Sequence, residues 1–333
     1  MTKPLILIAR AVFPEVIERL RAHFEVDANA DDRVYSKVEL AARLNGKLGA
    51  FTTGSERIDA EVLLANPQLR AVCNMAVGYN NFDIDALTAR GVVATNTPDV
   101  LTETTADFGF ALMMATARRM AESERYLRRG EWTKWSYDMF TGSDIHGATL
   151  GILGMGRIGQ AIARRGALGF GMDVIYHNRS RLPPQQERPI AARWVEKTQL
   201  LRQADHLVLV LPYSPQSHHV IGADELALMK PTATLTNIAR GGIVDDVALA
   251  AALRDQRIAA AGLDVFEGEP MVHADLLALP NVVLTPHIAS ASVATRRAMA
   301  DLAADNLIAA LTGGMPPTPI NPQVLVGGRL AVS

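Results

Sequence analysis

Short apolar runs of strand length alternate along the chain with longer stretches in which apolar residues recur every three or four positions. The first pattern is typical of buried strands, and the second of helices that cover a sheet. The predicted strands cover residues 5–9, 48–52, 69–73, 92–94, 150–153, 174–176, 206–211, 233–238, 259–265 and 282–285. The predicted helices cover residues 14–22, 36–44, 60–64, 102–118, 121–129, 246–253 and 291–311. This alternation indicates an α/β protein with parallel sheets and right-handed crossovers.

A turn-rich tetrapeptide, Asn96-Thr97-Pro98-Asp99, predicts the first crossing between two domains. Residues 149–285 hold about six predicted strands, the number in a full dinucleotide-binding domain. Only about 98 residues precede the crossing, and we expect the C-terminal segment to return and complete this first domain. We therefore predict a discontinuous substrate domain, residues 1–98 and 288–333, with a dinucleotide-binding domain, residues 99–287, inserted into it. Both are expected to be Rossmann-like or flavodoxin-like.

Three glycines, Gly154, Gly156 and Gly159, follow the predicted strand at 150–153 with G-x-G-x-x-G spacing. Glycine serves there for a tight turn, for close approach of the backbone to a pyrophosphate, and for close helix–strand packing. Apolar residues at helical spacing follow, and then a second strand at 174–176. The alternative is a turn with only a structural role, but the strand–turn–helix context favours a dinucleotide site.

Composition narrows the class of protein. The chain has 333 residues, 49% hydrophobic residues, a formal net charge of −2 and no long run of either charge. These values argue against nucleic acid or a membrane surface as a partner. Cys73 is the only cysteine, which favours a reducing compartment. The N-terminal apolar run is too short for a signal peptide or a membrane span, so we expect a cytoplasmic protein. The metal-ligand candidates are scattered, and no metal site is predicted.

Candidate catalytic residues follow three predicted strands, in the stretches Ala239-Arg240-Gly241-Gly242, 264–270 and Thr285-Pro286-His287-Ile288. An arginine can bind a carboxylate through two hydrogen bonds and polarise a neighbouring carbonyl. A histidine exchanges a proton near neutral pH, and a carboxylate beside it fixes its tautomer. An arginine, an acid or a histidine that stands alone at a strand end is usually exposed to solvent or caps a neighbouring helix. Their combination in one nucleotide-binding unit favours hydride transfer to a 2-oxo acid.

With these motifs, the chain resembles the D-isomer-specific 2-hydroxyacid dehydrogenases over nearly its whole length. The motifs that carry the resemblance are Val77-Gly78-Tyr79-Asn80-Asn81, 101–107, 150–159, 237–241, 262–270 and 286–290. Within the family it is most similar to glyoxylate/hydroxypyruvate reductases, including those active on 2-ketogluconate. Gly130-Glu131-Trp132-Thr133 and His218-His219 match that branch.

The resemblance implies roles for individual residues. It makes Arg240 the substrate-binding arginine, Glu269 its acidic partner and His287 the proton donor. Other positions that would touch the substrate are Val77 and Gly78, through their backbone, and Ser290. The positions expected to contact the cofactor are Thr104, Gly154, Gly156, Arg157, Ile158, Gly159, Asn178, Arg179, Ser180, Leu211, Pro212, Ser217, Ile238, Ala239, Asp264 and His287, with Asp264 at the nicotinamide carboxamide.

The resemblance also implies a homodimer paired through the nucleotide domains. In the family, an aromatic residue after the position of Trp132 can reach the partner's active site. The corresponding neighbourhood here reads Tyr137-Asp138-Met139-Phe140, and the usual tryptophan is absent.

The end of the second nucleotide-domain strand predicts which cofactor is used. NAD enzymes normally carry an acidic residue there, which accepts a hydrogen bond from the ribose 2′-hydroxyl. Here the strand ends in Tyr176-His177-Asn178-Arg179-Ser180-Arg181, without an acid. Arg179, Ser180 and Arg181 could bind a 2′-phosphate instead, although solvated loop arginines are the alternative. NADPH is the expected cofactor, with NADH also usable.

The expected function is NADPH-dependent reduction of a small 2-oxo acid to the D-2-hydroxy acid. The substrate would be glyoxylate or hydroxypyruvate, with 2-ketogluconate as a further candidate. A D-3-phosphoglycerate or D-lactate dehydrogenase would share the Arg/Glu/His set and is the alternative within the family. A nucleotide-sensing corepressor-like binding protein is the alternative from another class.

Overall fold

The computed structural model describes residues 3–326 and 329–330. Its strands are β1 Leu5–Ile8, β2 Glu25–Ala28, β3 Gly49–Thr52, β4 Ala71–Asn74, β5 Val93–Thr95, β6 Thr149–Leu153, β7 Asp173–His177, β8 Arg193–Trp194, β9 His206–Leu209, β10 Thr234–Asn237, β11 Ala260–Leu263, β12 Val282–Leu284, β13 Leu325–Val326 and β14 Arg329–Leu330. Its α-helices are α1 Pro14–His23, α2 Lys37–Leu44, α3 Ala60–Ala65, α4 Ile84–Ala89, α5 Thr102–Ala117, α6 Met120–Arg128, α7 Arg157–Arg164, α8 Pro184–Glu187, α9 Lys197–Gln203, α10 Ala223–Leu228, α11 Asp246–Arg254, α12 Ala274–Ala278 and α13 Val293–Thr312.

The chain divides into two compact units. Unit 1 consists of residues up to Leu101 and from Ser292 onward, and unit 2 runs from Thr102 to Ala291. Each unit contains one open parallel sheet, which confirms the predicted α/β class. The sequence placed the crossings after residues 98 and 287. The assignment of a substrate role to one unit and a nucleotide role to the other stays a prediction.

Unit 1 contains a five-stranded sheet in the order β2-β1-β3-β4-β5, with every neighbouring pair parallel. This is the strand order of flavodoxin-like folds. Apolar residues of α1 and α13 cover one face, including Leu20 and Leu307, while α2 and α3 contribute Leu40 and Val62 to the second core. The sheet is therefore buried between two helical layers, as parallel sheets usually are.

The C-terminal segment is part of unit 1 because it is bonded to the β5 edge. Asn321 Oδ1 accepts from the Ala94 amide at 2.8 Å, and its Nδ2 donates to the Val92 carbonyl at 2.9 Å. The Ile320 amide donates to the Ala94 carbonyl at 2.7 Å, and Thr318 Oγ1 donates to the Asn96 carbonyl at 2.6 Å. These bonds satisfy backbone groups of an edge strand that would otherwise lack partners.

Unit 2 contains a seven-stranded sheet in the order β12-β11-β10-β9-β6-β7-β8, again parallel throughout. The sheet has one strand more than the six that the sequence predicted for this part of the chain. The order of strands reverses between β6 and β9, as in the Rossmann fold. Ligands of such sheets bind at this reversal, outside the carboxyl ends of the strands. Among the described residues, no helix is both long and apolar enough to cross a membrane.

Several short elements were missing from the sequence prediction. β2 reads Glu-Val-Asp-Ala and lies at the edge of its sheet, so it lacks a continuous apolar run. The other unpredicted elements include β8, β13, β14, α4, α9, α10 and α12, each of at most seven residues. The loop predicted at 183–189 is wrong, because α8 and a 3-10 turn at Arg188–Ile190 occupy it. By contrast, the predicted capping box of Ser36 and Glu39 at the start of α2 is confirmed.

Candidate active site

The glycine-rich turn lies between β6 and α7, where the strand order of unit 2 reverses. Gly154 has a φ of +104°, and a Cβ added there would lie 2.7 Å from the Leu211 amide nitrogen. A Cβ at Gly159 would collide with the Gly154 carbonyl oxygen. The first and third glycines are therefore required by backbone conformation and packing, as the motif predicts.

Gly156 differs from its two neighbours in the motif. It is the N-cap residue of α7, and a Cβ there would meet no atom within 4 Å. The space beside the Gly156 backbone is therefore open. It lies at the start of α7, where the first N–H groups of the helix have no acceptor within the helix. An anion binds well in such a place, and the helix dipole adds to the attraction. The turn therefore fits the pyrophosphate of a dinucleotide.

Other predicted cofactor positions lie at the start of α5 or after the neighbouring strands of unit 2. Thr104 is in the first turn of α5, while Arg157 and Ile158 open α7. Leu211, Pro212 and Ser217 follow β9, Ile238 and Ala239 follow β10, and Asp264 follows β11. Ser217 holds its own turn, since its Oγ accepts from the Ser214 amide at 2.7 Å. Its contact with a cofactor stays a prediction, like those of the other positions.

Asn178 connects the end of β7 to the glycine-rich turn. Its Oδ1 accepts a hydrogen bond from the Met155 amide at 2.7 Å, and its carbonyl accepts one from Trp194 Nε1 at 3.0 Å. The residue therefore fixes the β7 end relative to the turn that would receive the pyrophosphate. Sequence reasoning predicted Asn178 as a cofactor contact and missed this structural role.

The three residues after Asn178 are not equivalent. Arg181 forms a two-bonded ion pair with Glu187, at 2.9 Å from Nε and 2.7 Å from Nη2. Glu187 also accepts from the Tyr176 hydroxyl at 2.6 Å. Arg181 is thus bound to Glu187. The sequence had suggested that its guanidinium could bind a 2′-phosphate. Within the described part of the chain, Arg179 and Ser180 are exposed and their side chains have no hydrogen-bond or ion-pair partner.

This pairing also shifts the titration of two groups. Burial, and then the neighbouring Glu187 carboxylate, raise the pKa of Tyr176 to about 12. Hydrogen bonds from Arg181 and Tyr176 hold the pKa of Glu187 below its ordinary value. Tyr176 therefore stays a neutral hydrogen-bond donor, while Glu187 stays an anion and keeps Arg181 in place.

The three candidate catalytic residues follow three adjacent strands, β10, β11 and β12. His287 Nδ1 and Glu269 Oε2 are 2.8 Å apart, within hydrogen-bond distance. The Phe266 amide donates to the other carboxylate oxygen, Oε1, at 2.9 Å. The fold thus places the predicted histidine and acid in direct contact, with the acid held by its own loop. Their catalytic roles stay predictions.

Glu269 is negatively charged in this setting. Burial alone would raise its pKa, but the hydrogen bond with His287, the charge of that imidazole, the Phe266 amide and the charge of Arg240 together lower it. A carboxylate anion beside Nδ1 orients the ring and stabilises its protonated form. Nε2 is left as the ring atom able to give a proton to a substrate.

Arg240 begins the turn after β10 and is held by backbone contacts. Its Nη1 donates to the Ala239 carbonyl at 2.7 Å, and Asn237 Nδ2 donates to the Arg240 carbonyl at 3.3 Å. Burial lowers the pKa of the guanidinium and the charge of Glu269 opposes that shift, yet arginine stays protonated in proteins. A Cβ at Gly241 would collide with the Phe266 carbonyl. The Arg240 turn therefore packs directly against the loop that carries Glu269.

Asp264 anchors the segment that carries His287. It is fully buried, its Oδ1 accepts from Thr285 Oγ1 and the Ile288 amide, both at 2.8 Å, and its Oδ2 accepts from the Ala289 amide at 2.9 Å. Burial raises the pKa of Asp264, although these hydrogen bonds act against it. The sequence assigned Asp264 only to the nicotinamide, and no local signal showed that it bonds on both sides of His287.

The remaining predicted substrate positions are distributed over both units. Ser290 follows the His287 segment in unit 2. Val77 and Gly78 lie in unit 1, after β4, where their carbonyls accept from Asn96 Nδ2 at 2.8 Å and Asn74 Nδ2 at 3.1 Å. These bonds hold the turn rigidly. Contact of the three residues with substrate stays a prediction.

Comparison with known proteins decides the family. The family model described as D-isomer specific 2-hydroxyacid dehydrogenase, NAD binding domain, matches residues 110–289. The chain belongs to the D-isomer-specific 2-hydroxyacid dehydrogenases. The dehydrogenase is 49% identical over 327 residues to a glyoxylate reductase of Thermococcus onnurineus, covering 97% of each chain. It is 45% identical to glyoxylate/hydroxypyruvate reductase B of Klebsiella pneumoniae, over 97% of this chain and 99% of the relative.

A solved structure gives the same result. The dehydrogenase superposes with a TM-score of 0.85 on the NADPH-dependent glyoxylate/hydroxypyruvate reductase of Sinorhizobium meliloti in complex with NADP and malonate. The two are 37% identical, and the match covers 96% of this chain and 97% of the other. The resemblance inferred from the motifs is therefore confirmed, and the chain is an NAD(P)-dependent dehydrogenase of the glyoxylate/hydroxypyruvate reductase type.

Three residues of this dehydrogenase that could bind a metal lie close together, and the absence of a metal site stays a prediction. His218, His219 and Glu267 bring their ligand atoms within 4.8 Å of one another. Glu267 is 48 residues from His219 in sequence, so no spacing rule could reveal this cluster. It forms because β9, β10 and β11 end on the same side of one parallel sheet.

Proposed function

We propose that this dehydrogenase reduces glyoxylate to glycolate, or hydroxypyruvate to the D-isomer of its 2-hydroxy acid, with NADPH as the preferred cofactor. The observation that carries the proposal is the 2.8 Å contact between His287 Nδ1 and Glu269 Oε2, with Arg240 on the neighbouring turn. A proton donor and a carboxylate-binding group are thereby combined in the unit that carries the dinucleotide turn. The names of the relatives support this substrate class.

In the proposed reaction, Arg240 binds the carboxylate of the 2-oxo acid and polarises the neighbouring carbonyl. When bound, the reduced nicotinamide supplies the hydride that C2 of the substrate accepts. His287, protonated and oriented by Glu269, gives its Nε2 proton to the oxygen at C2. The imidazole is then neutral and keeps its hydrogen bond to Glu269. One hydride and one proton have been added across the C=O bond, which gives the hydroxy acid.

Arg179 and Ser180 would provide the preference for NADPH. Both are exposed after β7, no acid stands at the strand end to repel a phosphate, and Asn178 is fixed against the glycine-rich turn. A guanidinium and a hydroxyl bind a 2′-phosphate through charge-assisted hydrogen bonds. NADH would lack these contacts and bind more weakly, without being excluded.

A panel of 2-oxo acids tests the proposal. We expect the highest kcat/KM with NADPH on glyoxylate or hydroxypyruvate, and lower values on 2-ketogluconate, pyruvate and 3-phosphohydroxypyruvate. A clear maximum on pyruvate or on 3-phosphohydroxypyruvate would instead assign a D-lactate or D-3-phosphoglycerate dehydrogenase. Turnover on none of these acids, together with tight NADPH binding, would favour the corepressor-like alternative.

Oligomeric state and location are further parts of the proposal. A homodimer is expected from the family, and the exposed aromatic residues Trp132, Trp135 and Tyr137 offer apolar surface for a partner. A cytoplasmic location fits a chain whose single cysteine, Cys73, is buried. Light scattering on the purified chain would contradict the first part if it gave a monomer mass, and fractionation of native cells would test the second.

A further inference from the structure

Two histidines and a glutamate of unit 2 form a cluster that the proposed reaction does not use. His218 and His219 lie between β9 and α10, and Glu267 lies in the loop after β11. The potential ligand atoms of the three residues lie within 4.8 Å of one another. His219 Nε2 is 2.9 Å from Glu267 Oε2. His218 and Glu267 are exposed, so a dissolved ion can reach the cluster without any opening of the fold.

The two imidazole rings are held as a stacked pair. Their centroids are 3.9 Å apart and their planes differ by 23°. The Nδ1 of His218 lies 3.2 Å from the Tyr213 hydroxyl, and the Nδ1 of His219 lies 3.8 Å from Asp245 Oδ2. Each ring therefore has a polar group facing Nδ1, which leaves Nε2 as the ligand atom.

The carboxylate behind His219 is itself fixed. Asp245 caps α11, and its Oδ1 accepts from the Val247 and Ala248 amides, both at 3.0 Å. Its second oxygen, Oδ2, lies 3.8 Å from His219 Nδ1, which is an ion-pair distance longer than a hydrogen bond. A carboxylate or hydroxyl facing the second ring nitrogen is the usual support of a metal-bound histidine, because it fixes the tautomer and raises the basicity of the ligand.

The backbone of the cluster is also constrained. His219 has a φ of +49°, in the left-handed region that non-glycine residues rarely adopt. Its amide donates to the Gly242 carbonyl at 2.7 Å, and a Cβ on Gly242 would lie 3.3 Å from His218 Nδ1. The histidine pair therefore packs closely against the turn that follows Arg240. A strained residue held by its surroundings is a feature of functional sites.

We propose that His218, His219 and Glu267 form a binding site for a divalent transition-metal ion, with Zn²⁺ as the best fit. Two imidazoles and one carboxylate are a set that zinc accepts, with water completing its coordination. Ca²⁺ and Mg²⁺ prefer oxygen ligands and would bind far more weakly. A bound ion would join the segment after β9 to the loop of Glu267, two residues before Glu269.

Zinc binding to the untagged, metal-free chain tests this inference. Isothermal titration with ZnCl₂ should show one strong site per chain, and MgCl₂ at the same concentration should show none. His218→Asn and Glu267→Gln each remove one ligand, and both should weaken zinc binding at least about tenfold. His23→Asn is the matched control, since His23 is exposed in the last turn of α1 and, among the described residues, belongs to no group of three potential metal ligands.

A third variant separates this cluster from the catalytic pair. Zinc could instead bind His287 and Glu269, and His287→Asn would then abolish the titration while His218→Asn left it intact. That result, or a wild-type chain with no strong zinc site, would overturn the inference. Retained binding in His287→Asn and loss in His218→Asn would support it. Melting curves without metal show whether each variant is folded, and the readout does not depend on activity.

Discussion

His287 Nδ1 lies 2.8 Å from Glu269 Oε2, although the two residues are 18 positions apart and follow different strands. The contact occupies Nδ1, so Nε2 is the ring nitrogen that would meet a substrate in the proposed reaction. Asp264 holds the segment on both sides of His287, through Thr285 and the amides of Ile288 and Ala289. The proposed proton donor is therefore fixed in position as well as in orientation.

Replacing His287 by Gln should remove proton donation and little else. We expect kcat for glyoxylate reduction to fall by about 10² to 10⁴, the range that general acid catalysis contributes. Affinity for NADPH should change by less than about twofold, because the glycine-rich turn is untouched. Steady-state kinetics and fluorescence titration of NADPH measure the two quantities. His23→Gln is the control, and turnover equal to that of wild type would remove His287 from the mechanism.

Glu269→Gln should lower the rate by disturbing the orientation of His287. An amide can present either its oxygen or its nitrogen to Nδ1, so the ring loses the single tautomer that a carboxylate fixes. We expect kcat for glyoxylate reduction to fall while KM for NADPH stays nearly constant, and steady-state kinetics measure both. A variant with the kcat of wild type would show that Glu269 acts only through packing.

Arg179→Ala should alter the choice of cofactor. Loss of the guanidinium should lower kcat/KM for NADPH about tenfold, which is the effect expected from losing one charge-assisted hydrogen bond. The value for NADH should stay nearly unchanged. Arg188→Ala removes an exposed arginine of the same segment and should leave both values unchanged. Equal losses with both cofactors in Arg179→Ala would argue against a 2′-phosphate contact.

Asp264→Asn should destabilise the His287 segment. An amide nitrogen cannot accept a hydrogen bond, so at least one of the buried donors would lose its partner, at a cost of about 1–3 kcal/mol. We expect a lower Tm together with a lower kcat. Thr285→Val removes only one donor to Asp264 and should have the smaller effect on both. A variant with normal kcat would show that the segment keeps its position without the carboxylate.

Glu187→Gln gives a test of stability against pH. Because the pKa of Glu187 in the folded chain lies below its ordinary value of 4.5, the contribution of its ion pair is complete above that value. It decreases as pH falls through the lowered pKa. At pH 7 the variant should therefore have a lower Tm than the wild-type chain. The difference between the two Tm values should shrink as pH falls below 4.5, and a difference that stays constant with pH would contradict the explanation.

Much of the fold could be predicted from the sequence because buried parallel strands are continuous apolar runs. β3, β4 and β9 are completely buried along their length and were all predicted. The half-exposed edge strand β2 and the two-residue β8 were missed, because neither carries an apolar run. Most helices shorter than two turns, such as α4 and α10, were also missed, since they offer too few positions for a period to emerge. α3 at Ala60–Ala65 is the exception and was predicted.

The candidate site, like the fold, has features that the sequence predicted and contacts that only the structure shows. The sequence by itself determined the α/β class, the G-x-G-x-x-G turn and an arginine, a glutamate and a histidine after successive strands, because these features depend on neighbouring residues. Only the tertiary structure decided that His287 pairs with Glu269 and that His219 meets Glu267. The physical reason is that strand order brings together chain ends far apart in sequence. A side chain's partner therefore depends on which strands are neighbours, and no local pattern records that.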